Sequence, residues 1–285
     1  MEAIMNDIVI PGMLLFAYIS FLWWVGQRFK NAGLIDFGWP SGFTALALYY
    51  GLVSDGHWQR KAIITAMYCF CGLRFMVGWI VRNRRDGEDR RWSYFRDRWS
   101  SGEGLFGIRS VPINLFAFYH AQTFATLLIL IRPLAIACNN TEPRVYVVEW
   151  IAVGLWVFSN IMENFADFQL DQFRKSDESG SVCRNGLWKY SRHPNYFFEF
   201  LIWTAYTLFA IPSITHWMDV VELVLVPLVA YWFLVHFTGI PITEQASLDR
   251  RGEPYAQYQA TTNRFCPWFP RTSSNSTSQA NGNPK

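Results

Sequence analysis

Residues 8–26 read IVIPGMLLFAYISFLWWVG, a run of 19 residues without a charge. A helix needs about 20 such residues to cross the hydrocarbon core of a bilayer. Residues 111–131, VPINLFAFYHAQTFATLLILI, repeat the pattern, with His120 the one side chain that titrates near neutrality. Weaker segments follow at 37–53, 62–81, 145–163, 197–215 and 220–240. The last three reach spanning length when Glu149, Glu163, Glu199, Glu222 and His236 lie near their ends or face the bundle interior. The expectation is an all-α, polytopic membrane helical bundle of about seven transmembrane helices. A soluble fold would have to hide several such segments inside a 33.2 kDa globule.

The composition agrees. Of 285 residues, 18% are aromatic and 16% charged. Disordered chains have few aromatics and many charges, and soluble domains carry about 25% charged residues. The mean hydropathy of +0.08 averages two environments.

Charge orients the segments. Glu2 and Asp7 precede the first one, while Arg28 and Lys30 follow it. A cleaved signal would need a basic start; this pattern instead puts the N-terminus outside and the next loop in the cytosol. Arg82, Arg84, Arg85, Arg90, Arg91, Arg96, Arg98 and Arg109 fill one later loop. Arg174, Lys175, Arg184, Lys189 and Arg192 fill another, and Arg250, Arg251, Arg264 and Arg271 follow the last segment. Alternation then gives seven helices with the C-terminus inside. Arg60 and Lys61 are the exception, on a loop assigned outside. Topology accounts for the basic loops, so nucleic acid is not an expected partner. Residues 1–271 read as one integral-membrane domain, with a cofactor-binding half at about 145–271. Residues 272–285 read as a disordered polar tail. The sequons at Asn139 and Asn275 do not fix the compartment.

Several chemistries are absent from the sequence. The five cysteines include no C-x-x-C pair, and the histidines have no metal-ligand spacing, so no metal is expected. There is neither G-x-G-x-x-G nor a P-loop. Any nucleotide is therefore held by other means than a Rossmann or Walker motif.

The densest polar and aromatic stretch is GLWKYSRHPNYFFE, residues 186–199. Pro194 suits the first turn of a helix, which places Arg192 and His193 at the helix mouth. There unpaired N–H groups attract anions, and Arg192 adds a bidentate donor. Asn195 and Glu199 share one helix face, and an ionisable group inside a span is a functional hypothesis by default. The alternative is an interfacial anchor of Arg, Trp and Tyr. A second cluster holds Glu244, Gln245, Tyr255 and Tyr258 and ends in FCPWFP at 265–270. It reads either as a cofactor cleft or as an amphipathic helix on the membrane. A third is the stripe Asn160, Glu163, Asn164, Asp167, Asp171 and Arg174, either cofactor-binding or salt-bridge decoration.

The 186–199 block, the later Ile-Pro-x-x-Glu and the Tyr-x-x-Tyr…Pro-Trp-Phe-Pro ending resemble the steroid 5-alpha-reductase C-terminal type. Asp36-Phe37-Gly38-Trp39 and the loop from Arg82 to Arg91 resemble, more closely, an uncharacterised branch grouped with those reductases. The resemblance runs through most of the chain. It implies helices that clasp a cytosol-facing NADPH and reduction of a carbon–carbon double bond in a lipid or steroid-like enone. Asn195 and Glu199 match the reductases' Asn-x-x-x-Glu cofactor site. Arg192, His193 and Tyr196 match an Arg-His-Pro-x-Tyr form in sterol-reductase relatives, and Asp167 and Arg174 match a cofactor-serving Asp and Arg. Glu163 stands where the reductases have Asn, and their N-terminal catalytic Glu and Tyr have no counterpart found here.

The expected cofactor set is thus Arg192, His193, Asn195, Tyr196, Glu199, Asp167, Arg174, Glu244 and Tyr255. Glu199, Tyr119 and His120 are the catalytic candidates, with Asp36 a further proton donor; interhelical hydrogen bonding is the alternative role for Tyr119 and His120. The partners expected are a hydrophobic lipid or steroid substrate and membrane lipids. The location implied is the endoplasmic reticulum membrane for a eukaryote and the inner membrane for a bacterium. The block also resembles isoprenylcysteine carboxyl methyltransferases, which use S-adenosylmethionine, but Glu244-Gln245 stands where those have two acids. A non-enzymatic membrane scaffold is the third reading.

Overall fold

Proline sets many of the helix starts. Pro11, Pro112, Pro133, Pro241 and Pro254 each lie in a first turn, where a missing N–H costs nothing. Gly87 and Gly252 cap two C-terminal ends with positive φ. The computed structural model describes residues 9–176, 180–237 and 239–271, and these form helices and turns without a β-strand. The helices are α1 (Ile10–Phe29), α2 (Ile35–Val53), α3 (Trp58–Asp86), α4 (Arg90–Arg98), α5 (Val111–Ala125) and α6 (Arg132–Cys138). They continue with α7 (Val147–Lys175), α8 (Pro194–Ala210), α9 (Trp217–Trp232), α10 (Ile240–Arg251) and α11 (Glu253–Thr261). The chain divides into two compact helical units: residues 1–153 with 203–229, and residues 154–202 with 230–285. The expected tail at 272–285, with the Asn275 sequon, lies outside the described residues.

Among the described residues, three runs are long and apolar enough to cross a membrane: Ile10–Phe29, Trp58–Asp86 and Trp217–Arg251. The helix faces suit that reading. Along α1, Leu15, Ile19, Leu22 and Gly26 are buried, whereas Met13, Leu14, Phe21 and Trp24 are exposed. Along α7, Trp150, Ile151, Val157, Phe158, Ile161, Phe165 and Phe168 form an exposed apolar stripe. A water-soluble helix carries polar residues on its outer face. Small residues let helices of the first unit close up. A Cβ on Gly72 would strike the Thr44 side chain and the Pro40 carbonyl, so α2 and α3 touch there.

The segment 111–131 is not one continuous α-helix. α5 ends at Ala125, the π-helical turn Thr126–Leu130 follows, and α6 begins at Arg132. Thr126 Oγ1 bonds back to the Gln122 carbonyl at 2.8 Å and accepts the Trp39 indole N–H at 2.7 Å. Such back-bonding competes with regular helix geometry. Pro133 then lies in the first turn of α6, where it fits only a helix start.

Two polar nodes tie loops together in the first unit. At one, Arg60 is fully buried and uses its whole guanidinium. Nε and Nη2 bond Glu149 at 2.5 and 3.2 Å; Nη1 bonds the Glu142 and Asn140 carbonyls at 2.6 and 3.4 Å; Nη2 also reaches the Arg144 carbonyl at 2.5 Å. Lys61 Nζ donates to the Ser54 carbonyl. The basic exception to the charge pattern is thus half explained, since Arg60 carries no net field to the surface. At the other node, Asp36 accepts from Arg91 at 3.3 Å and from the Trp92 indole at 3.2 Å. Glu88 pairs with Arg96 and accepts the Ala32 N–H, and Asn31 bonds Asn83 at 3.0 Å. The Asp36-x-x-Trp39 and Arg82–Arg91 motifs therefore form one assembly.

Candidate functional site

In the second unit the 186–199 block folds against α7, α10 and α11. Gly186 begins it with φ 57°, and a Cβ there would collide with the Gln169 amide. Glycine meets both demands, and Gln169 Oε1 is left to accept the Leu187 N–H at 3.0 Å. The Trp188 indole then donates to the Ala166 carbonyl at 2.9 Å, and the Tyr258 hydroxyl donates to the Trp188 carbonyl. Ser191 Oγ donates to the Phe265 carbonyl at 2.7 Å and accepts the His193 N–H at 3.1 Å. These bonds hold the turn before α8 rigid.

Arg192 is 9% exposed. Its Nε donates to Glu244 Oε1 at 2.6 Å, and Nη1 donates to the Gln259 and Thr262 carbonyls, each at 2.7 Å. Its backbone N–H donates to the Asn263 carbonyl at 2.8 Å. Glu244 Oε1 also takes His193 Nε2 at 3.2 Å, and Oε2 takes the Gln259 amide at 2.9 Å. Burial of His193 holds its pKa below the ordinary value of 6.5, despite the opposing pull of Glu244. The neutral ring therefore donates from Nε2 to the carboxylate, while Arg192 supplies the compensating charge. Tyr196 lies parallel to His193, with ring centroids 5.5 Å apart and planes 4° apart. Tyr255 is buried beside this group; desolvation pushes its hydroxyl up to about 12.

Beside this centre, Asn195 Nδ2 donates to Asp167 Oδ1 at 3.0 Å. Asn195 Oδ1 is buried and has no partner, as are Asn263 Nδ2 and Arg264 Nε. Ser159 Oγ is a fourth such atom in this unit. Buried polar atoms in a native protein are bonded in about nine cases of ten, so the three at the 186–199 block and beside it call for a ligand or for water. The α7 stripe splits. Asn160 and Glu163 are buried, whereas Asp167, Arg174 and Lys175 are exposed, and Asp171 pairs with Lys175 at 2.6 Å. Glu199, partly buried, lies one turn beyond Asn195 on α8.

The structure thus gathers Arg192, His193, Glu244, Tyr196 and Tyr255 in the second unit and joins Asn195 to Asp167. Arg174 sits at the exposed end of α7. Tyr119 and His120 belong to the first unit. The Tyr119 hydroxyl donates to the Ala32 carbonyl; His120 Nε2 lies 3.1 Å from Ser20 Oγ and its ring stacks on Phe16, while its buried Nδ1 has no partner. Gln259 and the carbonyls of Thr262 and Asn263 had no signal in the sequence. Arg264 had one, a cation three residues before the Pro-Trp-Phe-Pro ending, but it reads there as a topology charge.

This helical arrangement defines a class before it defines an activity. Residues 22–262 match the family described as "protein of unknown function (DUF1295)", and the chain belongs to it. It is also similar to an uncharacterised protein of Schizosaccharomyces pombe, 26% identical over 291 residues that cover 92% of this chain and 80% of the relative. No solved structure matches.

Proposed function

We propose that this chain is a multi-pass membrane enzyme of about seven spans, related to the steroid 5-alpha-reductases, that reduces a carbon–carbon double bond in a hydrophobic enone with NADPH. Loop pairing supports the spans. The segments assigned to the outer face meet one another: His57 N–H bonds the Asn140 carbonyl, Arg60 bonds Glu149, and Asn140 bonds Ser213. Segments assigned to the cytosol pair likewise, as Asn31 with Asn83 and Asp36 with Arg91. A bundle of alternating spans sorts its loops in this way. The endoplasmic reticulum membrane is the expected site in a eukaryote.

The observation that carries the cofactor reading is the unpartnered, buried Asn195 Oδ1 next to Asp167. These acceptors suit an amide or ribose. Arg174 lies two helical turns from Asp167, about 10 Å along the axis at 1.5 Å per residue. That separation suits an extended dinucleotide with its phosphates at the basic end. Arg192 retains Nη2, and Arg264 has an unspent Nε close enough to His193 to influence it. NADPH supplies a hydride when bound. The chain holds the amide end with Asn195 and Asp167, packs Tyr196 on the ligand, and keeps His193 neutral and fixed by Glu244. Glu199, on the same face of α8 as Asn195, extends the set that positions the nicotinamide amide or ribose. Purified protein in detergent, titrated with NADPH and separately with S-adenosylmethionine, tests the reading. NADPH at 100 times its Kd should stabilise the fold by about 2.7 kcal/mol. Stabilisation by S-adenosylmethionine alone would make it a methyltransferase; stabilisation by neither would make it a scaffold.

A further inference from the structure

A polar cavity of about 300 Å³ lies in the first unit, lined by Arg132, Asn139, Thr141, Ser213, Thr215 and Asp219 among others. That is the lower end of the range for small-molecule sites, about 300–1,000 Å³, and fits a headgroup rather than a whole lipid. Its wall is built in advance. Asn140 Nδ2 donates to Ser213 Oγ at 3.0 Å and to the Pro212 carbonyl at 3.3 Å, while its Oδ1 accepts the Glu142 N–H at 2.9 Å. The buried Arg60 holds the carbonyls of residues 140, 142 and 144 from behind. A site fixed this way loses little freedom on binding.

Two groups on the wall have capacity to spare. Arg132 spends Nε on Glu222 Oε2 at 2.7 Å, which leaves both Nη groups. Asp219 Oδ2 accepts the N–H groups of Thr215 and His216 and the Thr215 hydroxyl, which leaves Oδ1. The free guanidinium N–H groups of Arg132 can hold an anion and the open carboxylate oxygen of Asp219 a cation. The cavity therefore offers partners to a ligand with one anionic end and one cationic end. No lining residue is aromatic, so there is no cation–π cage for a quaternary ammonium. A primary ammonium, with three N–H donors, is what a carboxylate oxygen can select. The helix that carries Asp219 exposes Trp217, Val220, Val221 and Val224, apolar surface for acyl chains.

We propose that this cavity binds a phosphoethanolamine headgroup, with phosphate at Arg132 and ammonium at Asp219. The site is independent of the cofactor reading. The test uses the full-length protein, stripped of lipid in detergent and offered equal amounts of phosphatidylethanolamine, its mono- and dimethyl forms, and phosphatidylcholine. Native mass spectrometry reads which lipid stays bound. One charge-assisted hydrogen bond of about 1.5 kcal/mol gives retention of the primary amine about tenfold above the choline lipid. Retention should fall as N-methyl groups are added. Asp219→Asn keeps an oxygen for the Thr215 and His216 N–H groups but turns an amide NH₂ toward the ammonium; it should erase the preference in a protein that still melts cooperatively. Equal retention across the methylation series overturns the proposal, and so does a preference that survives in Asp219→Asn. Glycerophosphoethanolamine separates the sources. Thermal stabilisation by it, or by the lipid alone, supports the headgroup assignment and tells whether chains are required. Stabilisation by neither overturns it.

Discussion

The Arg60 guanidinium lies 2.5 Å from the Glu149 carboxylate, and neither side chain is exposed to solvent. Burying such a pair is costly, and its Coulomb energy repays the cost only when every remaining donor is also bonded. Here the carbonyls of residues 140, 142 and 144 complete the set. Glu149→Ala would leave the guanidinium unpaired and should destabilise the protein by about 3–5 kcal/mol. Arg60→Met combined with Glu149→Leu removes the unpaired charge but strips the donor from the carbonyls of residues 140, 142 and 144 and the acceptor from the Tyr146 N–H, so it should recover only part of that loss. Thermal melts of the three proteins in detergent check this. A single variant that melts like wild type would show water replacing the lost partner.

His193 gives a pH dependence with a definite sign. Its folded pKa lies below 6.5, so between the two values the unfolded chain binds more protons. Its contribution is complete above about pH 6.5 and is lost as pH falls toward the folded value. Over that window stability falls by up to about 1.4 kcal/mol per pH unit. Melting temperatures at pH 7.5 and 5.5 should separate in wild type and converge in His193→Gln. An equal separation in both would assign the slope to other groups.

Arg192 and Glu244 make the corresponding prediction for the second unit. Arg192→Lys keeps the charge but cannot reach Glu244 and the Gln259 and Thr262 carbonyls together. It should cost about 1–3 kcal/mol, the penalty of leaving buried acceptors unmet. Arg264→Gln gives up one bond, from Nη2 to the Val235 carbonyl at 3.0 Å, so it should cost only about 1 kcal/mol and weaken NADPH binding instead. A melt and a NADPH titration for each variant distinguish the two. Equal loss of affinity in both, with no loss of stability, would make Arg192 a direct ligand.

The helices were legible because apolar runs and proline are local signals. The run 62–81 lies within α3, and the described part of the run 8–26 lies within α1 but for Val9. Residues 186–199 were legible as a candidate because glycine, proline and charge crowd into 14 positions. What stayed hidden is long-range. Arg60 looks like a loop cation, and its partner Glu149 is 89 residues away. Arg192 looks like a free phosphate donor, yet two of its acceptors are backbone carbonyls, which have no residue signature. At the break after Ala125, Thr126 meets the Trp39 indole, 87 positions apart.

Gly186 offers the sharpest check on the turn that presents the site. Its φ of 57° disfavours any side chain by about 1–2 kcal/mol, and a Cβ would push away the Gln169 amide that accepts the Leu187 N–H. That bond is worth about another 1 kcal/mol. Gly186→Ala should therefore lose about 2–3 kcal/mol from both sources. Gln169→Ala loses only the bond, so it should cost about 1 kcal/mol. In the double variant the clash is gone and the bond is already lost, so Gly186→Ala should cost only its backbone share. A double-mutant cycle on melting free energies then returns a coupling of about 1 kcal/mol. Strict additivity would mean that Gln169 does not hold the turn.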